Sequence, residues 1–276
     1  MTTDSLTTSA PATGSRKARP LFGPYGLIDG DRLLRLSSPF ILLAIWEICA
    51  RVGYIDQRYF PAPSSILKTA KAMILDGELA THLFVSIQRI LVGFVMGAVP
   101  GILLGLAMGL WKPVRAVIEP LIDATFPIPK IALLPIFIML FGLGEMSKYM
   151  IIATAVIYLM LINTAAGVRN IDKIYLEVGR NFGAGRLLTF TNIALPGALP
   201  MIMAGAKLGL GVALLVIVSA EFVGAKSGIG YLIWTSWQVF EVEKMYVGLA
   251  TSSLLGIVSA ALLNWIDKVL IPWKRR

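Results

Sequence analysis

Long, continuous apolar runs constrain this chain more than any other feature. The stretch Leu83–Leu110 carries a single charged residue, Arg89. A helix needs about 20 predominantly apolar residues to cross a bilayer. Only helices and closed barrels satisfy their own backbone inside hydrocarbon. The runs here are continuous rather than alternating, so a barrel is excluded. Composition agrees: of 276 residues, 57% are hydrophobic and only 15% charged, and the mean hydropathy is +0.77. A soluble domain of this length is far more polar. The sequence therefore predicts an all-α membrane protein of about six transmembrane helices. They are placed near Ser37–Val52, Leu83–Leu110, Val117–Phe141, Tyr149–Gly167, Gly197–Phe222 and Tyr246–Leu270.

Lys and Arg set the orientation, because they concentrate on the cytoplasmic side of membrane proteins. Arg32, Arg35, Lys112, Arg115, Arg169, Lys173, Arg180, Arg186, Lys274, Arg275 and Arg276 fall on one side of this plan; Arg58, Lys68, Lys71, Lys148, Lys226 and Lys244 fall on the other. Both termini are expected in the cytoplasm. Residues 1–36, rich in Ser, Thr, Ala and Pro at their start, read as a disordered cytoplasmic tail, and residues 37–276 as the membrane domain. No apolar core of a cleavable signal peptide follows the basic residues. The net charge of +9 flanks spans rather than covering one soluble face, so the expected partner is a lipid bilayer and not a nucleic acid. One cysteine (Cys49) and one histidine (His82) exclude an intrachain disulfide and leave no set of ligands for a metal.

Several groups inside the spans invite a role. Gly93, Gly97, Gly101, Gly105 and Gly109 recur every four residues. They keep one broad helix face bare for close packing, within the subunit or between subunits. Pro120, Pro127, Pro129 and Pro135 break the third span. Such breaks are tolerated where backbone is buried in protein or lines a cavity. Lys130 beside them is a candidate for an anion pathway or gate, as are Lys207 and Arg89. Each has a plainer reading: a snorkelling side chain for Lys130, an ion pair with another helix for Lys207. Residues Ser65–Leu75 form an amphipathic helix on the outer surface, with Ser64 as its cap.

Between the fourth and fifth spans, residues 168–196 form a basic loop that also carries Phe182, Leu187, Leu188 and Phe190. Apolar knobs on a cationic cytoplasmic loop call for a protein partner. Chemistry of the chain's own is absent from the sequence. Gly224-Ala225-Lys226-Ser227 lacks the glycine frame of a phosphate loop, and no serine nucleophile motif accompanies the lone histidine. The chain is not expected to be an enzyme, and its energy must come from elsewhere.

The loop also resembles a known one. Glu177, followed six residues later by Gly183 and then by Ile193, Leu195 and Pro196, is similar to the ATPase-docking loop of permease subunits in ATP-binding-cassette importers. The loop departs from that pattern at Val178 and Gly179, where the family more often has two alanines; Gly179 is expected to loosen the first helix. Pro61-Ala62-Pro63-Ser64, Phe126–Pro135 with Phe141-Gly142-Leu143-Gly144-Glu145, and Ser227–Leu232 resemble the sulfonate, nitrate, taurine and bicarbonate branch. The resemblance implies the type I importer permease fold in the bacterial inner membrane, a homodimer around a central pathway, two ATPase subunits and an extracytoplasmic substrate-binding protein. No cofactor would be held by this chain; ATP and Mg would sit on the partner ATPase. Glu177, Asn181, Phe182, Gly183, Ala184, Arg186, Ile193, Leu195 and Pro196 map onto the docking loop, with Glu177 anchoring its helices through hydrogen bonds and Gly183 permitting the turn. The implied cargo is a small organic or inorganic anion. Alternatives are a thiamine-precursor pyrimidine or, in a different class, ion-coupled secondary transport. The latter calls for paired intramembrane acids or an inverted repeat, and it leaves the loop unexplained.

Overall fold

A computed structural model describes residues 28–273. It describes side chains from Ser37 onward, except those of Lys173, Leu176, Arg180, Arg186 and Leu187. The described residues form eleven α-helices and no strand: α1 Ile28–Val52, α2 Pro63–Leu75, α3 Glu78–Leu110, α4 Lys112–Thr125, α5 Leu134–Phe141, α6 Glu145–Arg169, α7 Lys173–Asn181, α8 Arg186–Thr189, α9 Leu195–Glu221, α10 Ile229–Gln238 and α11 Val242–Leu270. A 3-10 turn, Lys130–Leu133, precedes α5, and a π-helical turn, Phe190–Ala194, joins α8 to α9.

Glycine sets the centre of the bundle. Each glycine of the α3 series lies against α6 so closely that a Cβ would collide. Such a Cβ would stand 2.6 Å from Ile152 at Gly93, 2.4 Å from the Ala153 carbonyl oxygen at Gly97, 2.7 Å from Met160 at Gly101, 2.6 Å from Thr164 at Gly105 and 2.4 Å from Val168 at Gly109. Residue numbers rise together on both helices, so α3 and α6 run parallel, and the seam lies within one chain. On the other side of α6, Gly205 meets Asn163 and Gly167 meets Met201 and Ala198, which makes α9 antiparallel to it. The main core follows: Ile90, Leu106, Ile151, Ile152, Val156, Met160, Ile202, Ala213 and Ile217 are buried together.

Four stretches are long and apolar enough to cross a membrane among the described residues: α3, α6, the run Phe190–Glu221 and α11. The pair α4 and Lys130–Phe141, bent by 90°, makes a fifth if counted as one span. The first of the six expected spans, Ser37–Val52, falls on α1, whose side chains are described only from Ser37 onward. The tail expected over 1–36 lies outside the described residues up to 27, and from Ile28 the chain is already helical. The basic end Lys274–Arg276 also lies outside them. The turn expected at 111–115 reduces to Trp111, because Lys112 already begins α4.

Ser64 does not cap α2 as expected. It lies inside the helix, and Glu47 on α1 takes over the task. The Ser64 N–H donates to Glu47 Oε2 (2.9 Å) and its hydroxyl to Oε1 (2.7 Å). A carboxylate satisfies an unbonded N–H at a helix start better than the helix's own second residue can.

Candidate functional site

The parallel seam gives the bundle two ends. One holds the segment after α6; the other gathers the start of α6, the end of α9 and the start of α10. Since α6 has 25 residues, these ends are about 37 Å apart at 1.5 Å per residue.

At the first end, α7 and α8 fold back on the start of α9. The turn between them is made at Gly183, whose φ of +71° suits glycine. The Ala184 N–H closes it by donating to the Gly179 carbonyl (2.8 Å). Gly179 does not loosen α7, contrary to expectation. Its bare face receives Ile193, whose Cδ1 stands 2.7 Å from where a Cβ would be. Here the missing side chain permits close packing, which outweighs the helix propensity lost. Together with Asn170, Ile171 and Trp273 these elements enclose a cleft of about 740 Å³. Tyr175, Phe182, Ala184, Ile193 and Pro196 line it. Phe182 is 88% exposed, and Ile174, Tyr175, Val178 and Leu188 are exposed with it. Leu195 begins α9 and packs on the main core, and Asn181 ends α7 on the surface. The side chain of Arg186 is outside those described. The Glu177 side chain is exposed on α7 and makes no hydrogen bond to another described side chain. Backbone bonds and Ile193 hold the turn.

At the second end lies a buried polar network that the sequence did not disclose. Arg89, only 2% exposed, donates through Nε and Nη2 to the two carboxylate oxygens of Glu145, both at 2.6 Å. Its Nη1 donates to Glu221 Oε1 at 2.8 Å and to the Ser227 carbonyl at 2.6 Å. Glu221 also accepts from the Ser86 hydroxyl (2.8 Å) and the Gly230 N–H (2.7 Å), while the Ile229 N–H donates to Ser86 Oγ (2.8 Å). Glu221 and Ser86 thus cap α10 from two other helices, where negative charge is favoured. His82 joins them through Nδ1, which accepts from the Gly228 N–H at 3.1 Å. A Cβ at Gly228 would lie 2.3 Å from the Glu221 carboxylate, so the Ser227–Leu232 motif keeps glycine to admit that group. Arg89 stood out in the sequence as a charge inside a span, and Glu145 and Ser227–Leu232 as motif residues, but nothing in the sequence joined them. The acidic partners of Ser86 and Arg89 lie 56 to 135 residues away.

The three cations singled out in the spans therefore differ. Arg89 lines no open path, which corrects its reading as a pathway residue: two carboxylates and a carbonyl enclose it. Lys207 donates to Asp267 on α11 at 2.6 Å, next to a small cavity of about 110 Å³ between α9 and α11. Lys130 donates to the carbonyls of Thr125 and Phe126 (3.0 and 3.1 Å) and lies 4.2 Å from the centre of the Tyr158 ring.

The described residues thus form a helical membrane bundle that ends in an exposed apolar cleft beside the Gly183 turn. The chain belongs to the family of binding-protein-dependent transport system inner membrane components, whose model matches residues 101–276. It is 32% identical to a protein named as an aliphatic sulfonates transport permease, SsuC of Bacillus subtilis (strain 168), over 96% of this chain and 95% of the relative. It is 29% identical to the taurine transport system permease protein TauC of Escherichia coli (strain K12), covering 87% and 89%. With the nitrate import permease protein NrtB of Synechocystis sp. the identity is 27% over 97% of this chain and all of the relative. The chain is thus an integral, multi-pass inner-membrane permease subunit of an ABC importer. A separate ATPase hydrolyses ATP, and a substrate-binding protein belongs to the same system.

Proposed function

We propose that two copies of this chain form the passage of an importer for a small oxyanion: a sulfonate, taurine, nitrate or bicarbonate. Each copy presents the 168–196 loop to one ATPase subunit in the cytoplasm, with both termini on that side. The ATPase holds the ATP and Mg, and this chain binds no cofactor. The observation that carries this reading is the cleft at Tyr175, Val178 and Phe182. An apolar side chain left 88% exposed at the tip of a turn shaped by Gly183 has no use in an isolated subunit. Closure of the ATPases on ATP moves this loop, and packed helices answer by a rigid-body switch. The names of the relatives support an oxyanion as cargo.

The test is co-purification of this chain with the ATPase and binding protein of its own system, then ATPase assay in liposomes with ethanesulfonate, taurine and nitrate. Binding protein plus one of these anions should raise ATP turnover. Phe182→Asp should remove the ATPase from the complex while the chain still inserts. Normal co-purification of that variant would move the docking surface elsewhere.

A further inference from the structure

Backbone that leaves helical geometry inside hydrocarbon is kept only where protein or water satisfies it. The stretch between α4 and α5 is such backbone. Pro127 and Pro129 have no N–H to donate, and the two arms diverge by 90°. Its depth follows from Tyr158, whose hydroxyl donates to Thr125 Oγ1 at 3.0 Å. Tyr158 lies near the middle of α6 (Glu145–Arg169), about 20 Å along that helix from its start. The break thus sits near mid-membrane. Yet Phe126, Ile128 and Ile131 are 45%, 41% and 41% exposed. Irregular backbone at that depth, open on the outside of the single chain, suits a passage between two copies better than contact with lipid.

A cation stands at this break. Arg89 and Lys207 meet carboxylates. Lys130 meets two carbonyl oxygens and an aromatic ring, and no carboxylate among the described residues. The carbonyls occupy two of its three N–H groups. No anionic side chain among the described residues neutralises its charge, and one donor is left over.

We infer that Lys130 and the adjoining break form an anion-contact point halfway through the passage, taking a small oxyanion with an apolar body, with Phe126, Ile128 and Ile131 as its wall. The inference rests on the importer reading above and adds to it a place and a chemistry. A lysine that only capped α4 would be replaceable by any donor of similar reach, whereas a contact for anions requires the charge.

The experiment uses the whole complex in proteoliposomes, with Ile128→Cys in a Cys49→Ser background. Two water-soluble methanethiosulfonate reagents are compared, one bearing a sulfonate and one a trimethylammonium, each rate divided by its rate with free cysteine. The expected result is that both react and that the anionic reagent is favoured ~10-fold by the nearby charge. Lys130→Gln should abolish that preference, and Lys130→Arg should keep it. Uptake of ethanesulfonate should fall ~10-fold in Lys130→Gln, with the ATPase still bound, and be largely retained in Lys130→Arg. An unreactive cysteine would place the break against lipid or protein and overturn the inference, as would a preference that survives Lys130→Gln. If the cysteine results hold but the wild-type complex imports no anion, the contact point stands and the substrate reading falls.

Discussion

Among single residues, Arg89 is held most completely. Its fork fits Glu145 in two places and Glu221 in a third, which an ammonium group cannot reproduce. Removing one member of a buried pair leaves the other charge desolvated, at a cost of about 3–5 kcal/mol. Arg89→Gln should therefore lower the thermal midpoint of the detergent-purified protein sharply, with Arg89→Lys recovering little. Glu145→Gln should cost less, about 1 kcal/mol, because that side chain is 48% exposed. Equal losses from the two would mean that the network is wetter than its geometry implies. At this scale the sequence exposed the cations and hid their partners. Arg89, Lys130 and Lys207 stand out as charges within apolar runs, but nothing local distinguishes a carboxylate cage from a carbonyl cap.

For elements, the α3–α6 seam makes the sharpest claim. At Gly97 the obstacle to a Cβ is a backbone carbonyl, which cannot rotate aside as a side chain would. Gly97→Val should separate the helices and cost more than the 1–3 kcal/mol typical of overpacking. Gly211→Ala, where a Cβ meets open space inside α9, should keep stability or raise it by up to about 1 kcal/mol. Thermal unfolding of the two variants side by side checks this. The glycine period was legible because packing writes itself into one helix face. That the opposing face belongs to α6, running parallel, was not legible, since it depends on the path of the chain through the broken span. The proline break was equally plain in sequence, and its 90° angle was not. Gly179 and Ser64 were misjudged for one reason: local propensity was consulted where tertiary contacts with Ile193 and Glu47 decided the outcome.

At the scale of the whole molecule, sidedness is the property to measure. Tyr54, 86% exposed beyond α1, and Phe182, 88% exposed in the α7–α8 turn, lie at opposite ends of the bundle. In a Cys49→Ser background, Tyr54→Cys should be labelled in intact cells by an impermeant thiol reagent, and Phe182→Cys only after the cells are opened. The reverse pattern would invert the orientation drawn from the Lys and Arg bias. Overall architecture was legible because hydrocarbon leaves so few options for a backbone. The exposed apolar side chains of the 168–196 loop were legible because they stand among basic ones.

One continuity in the fold has a mechanical meaning. From Arg186 to Glu221 the chain is helical without interruption, passing from α8 through the π-helical turn into α9. It forms a single spar about 50 Å long. Leu188 rides at one tip, and Glu221 grips α10 at the other. A tilt of ~10° about a point near the loop would carry the far tip through ~9 Å, several times the travel at the near one. The wider-wound Phe190–Ala194 turn lies close to that pivot, where a rod can twist with the least effect on the rest of its length. If the loop meets the ATPase as proposed, a small stroke there would be geared up into a larger one at the Glu221 end.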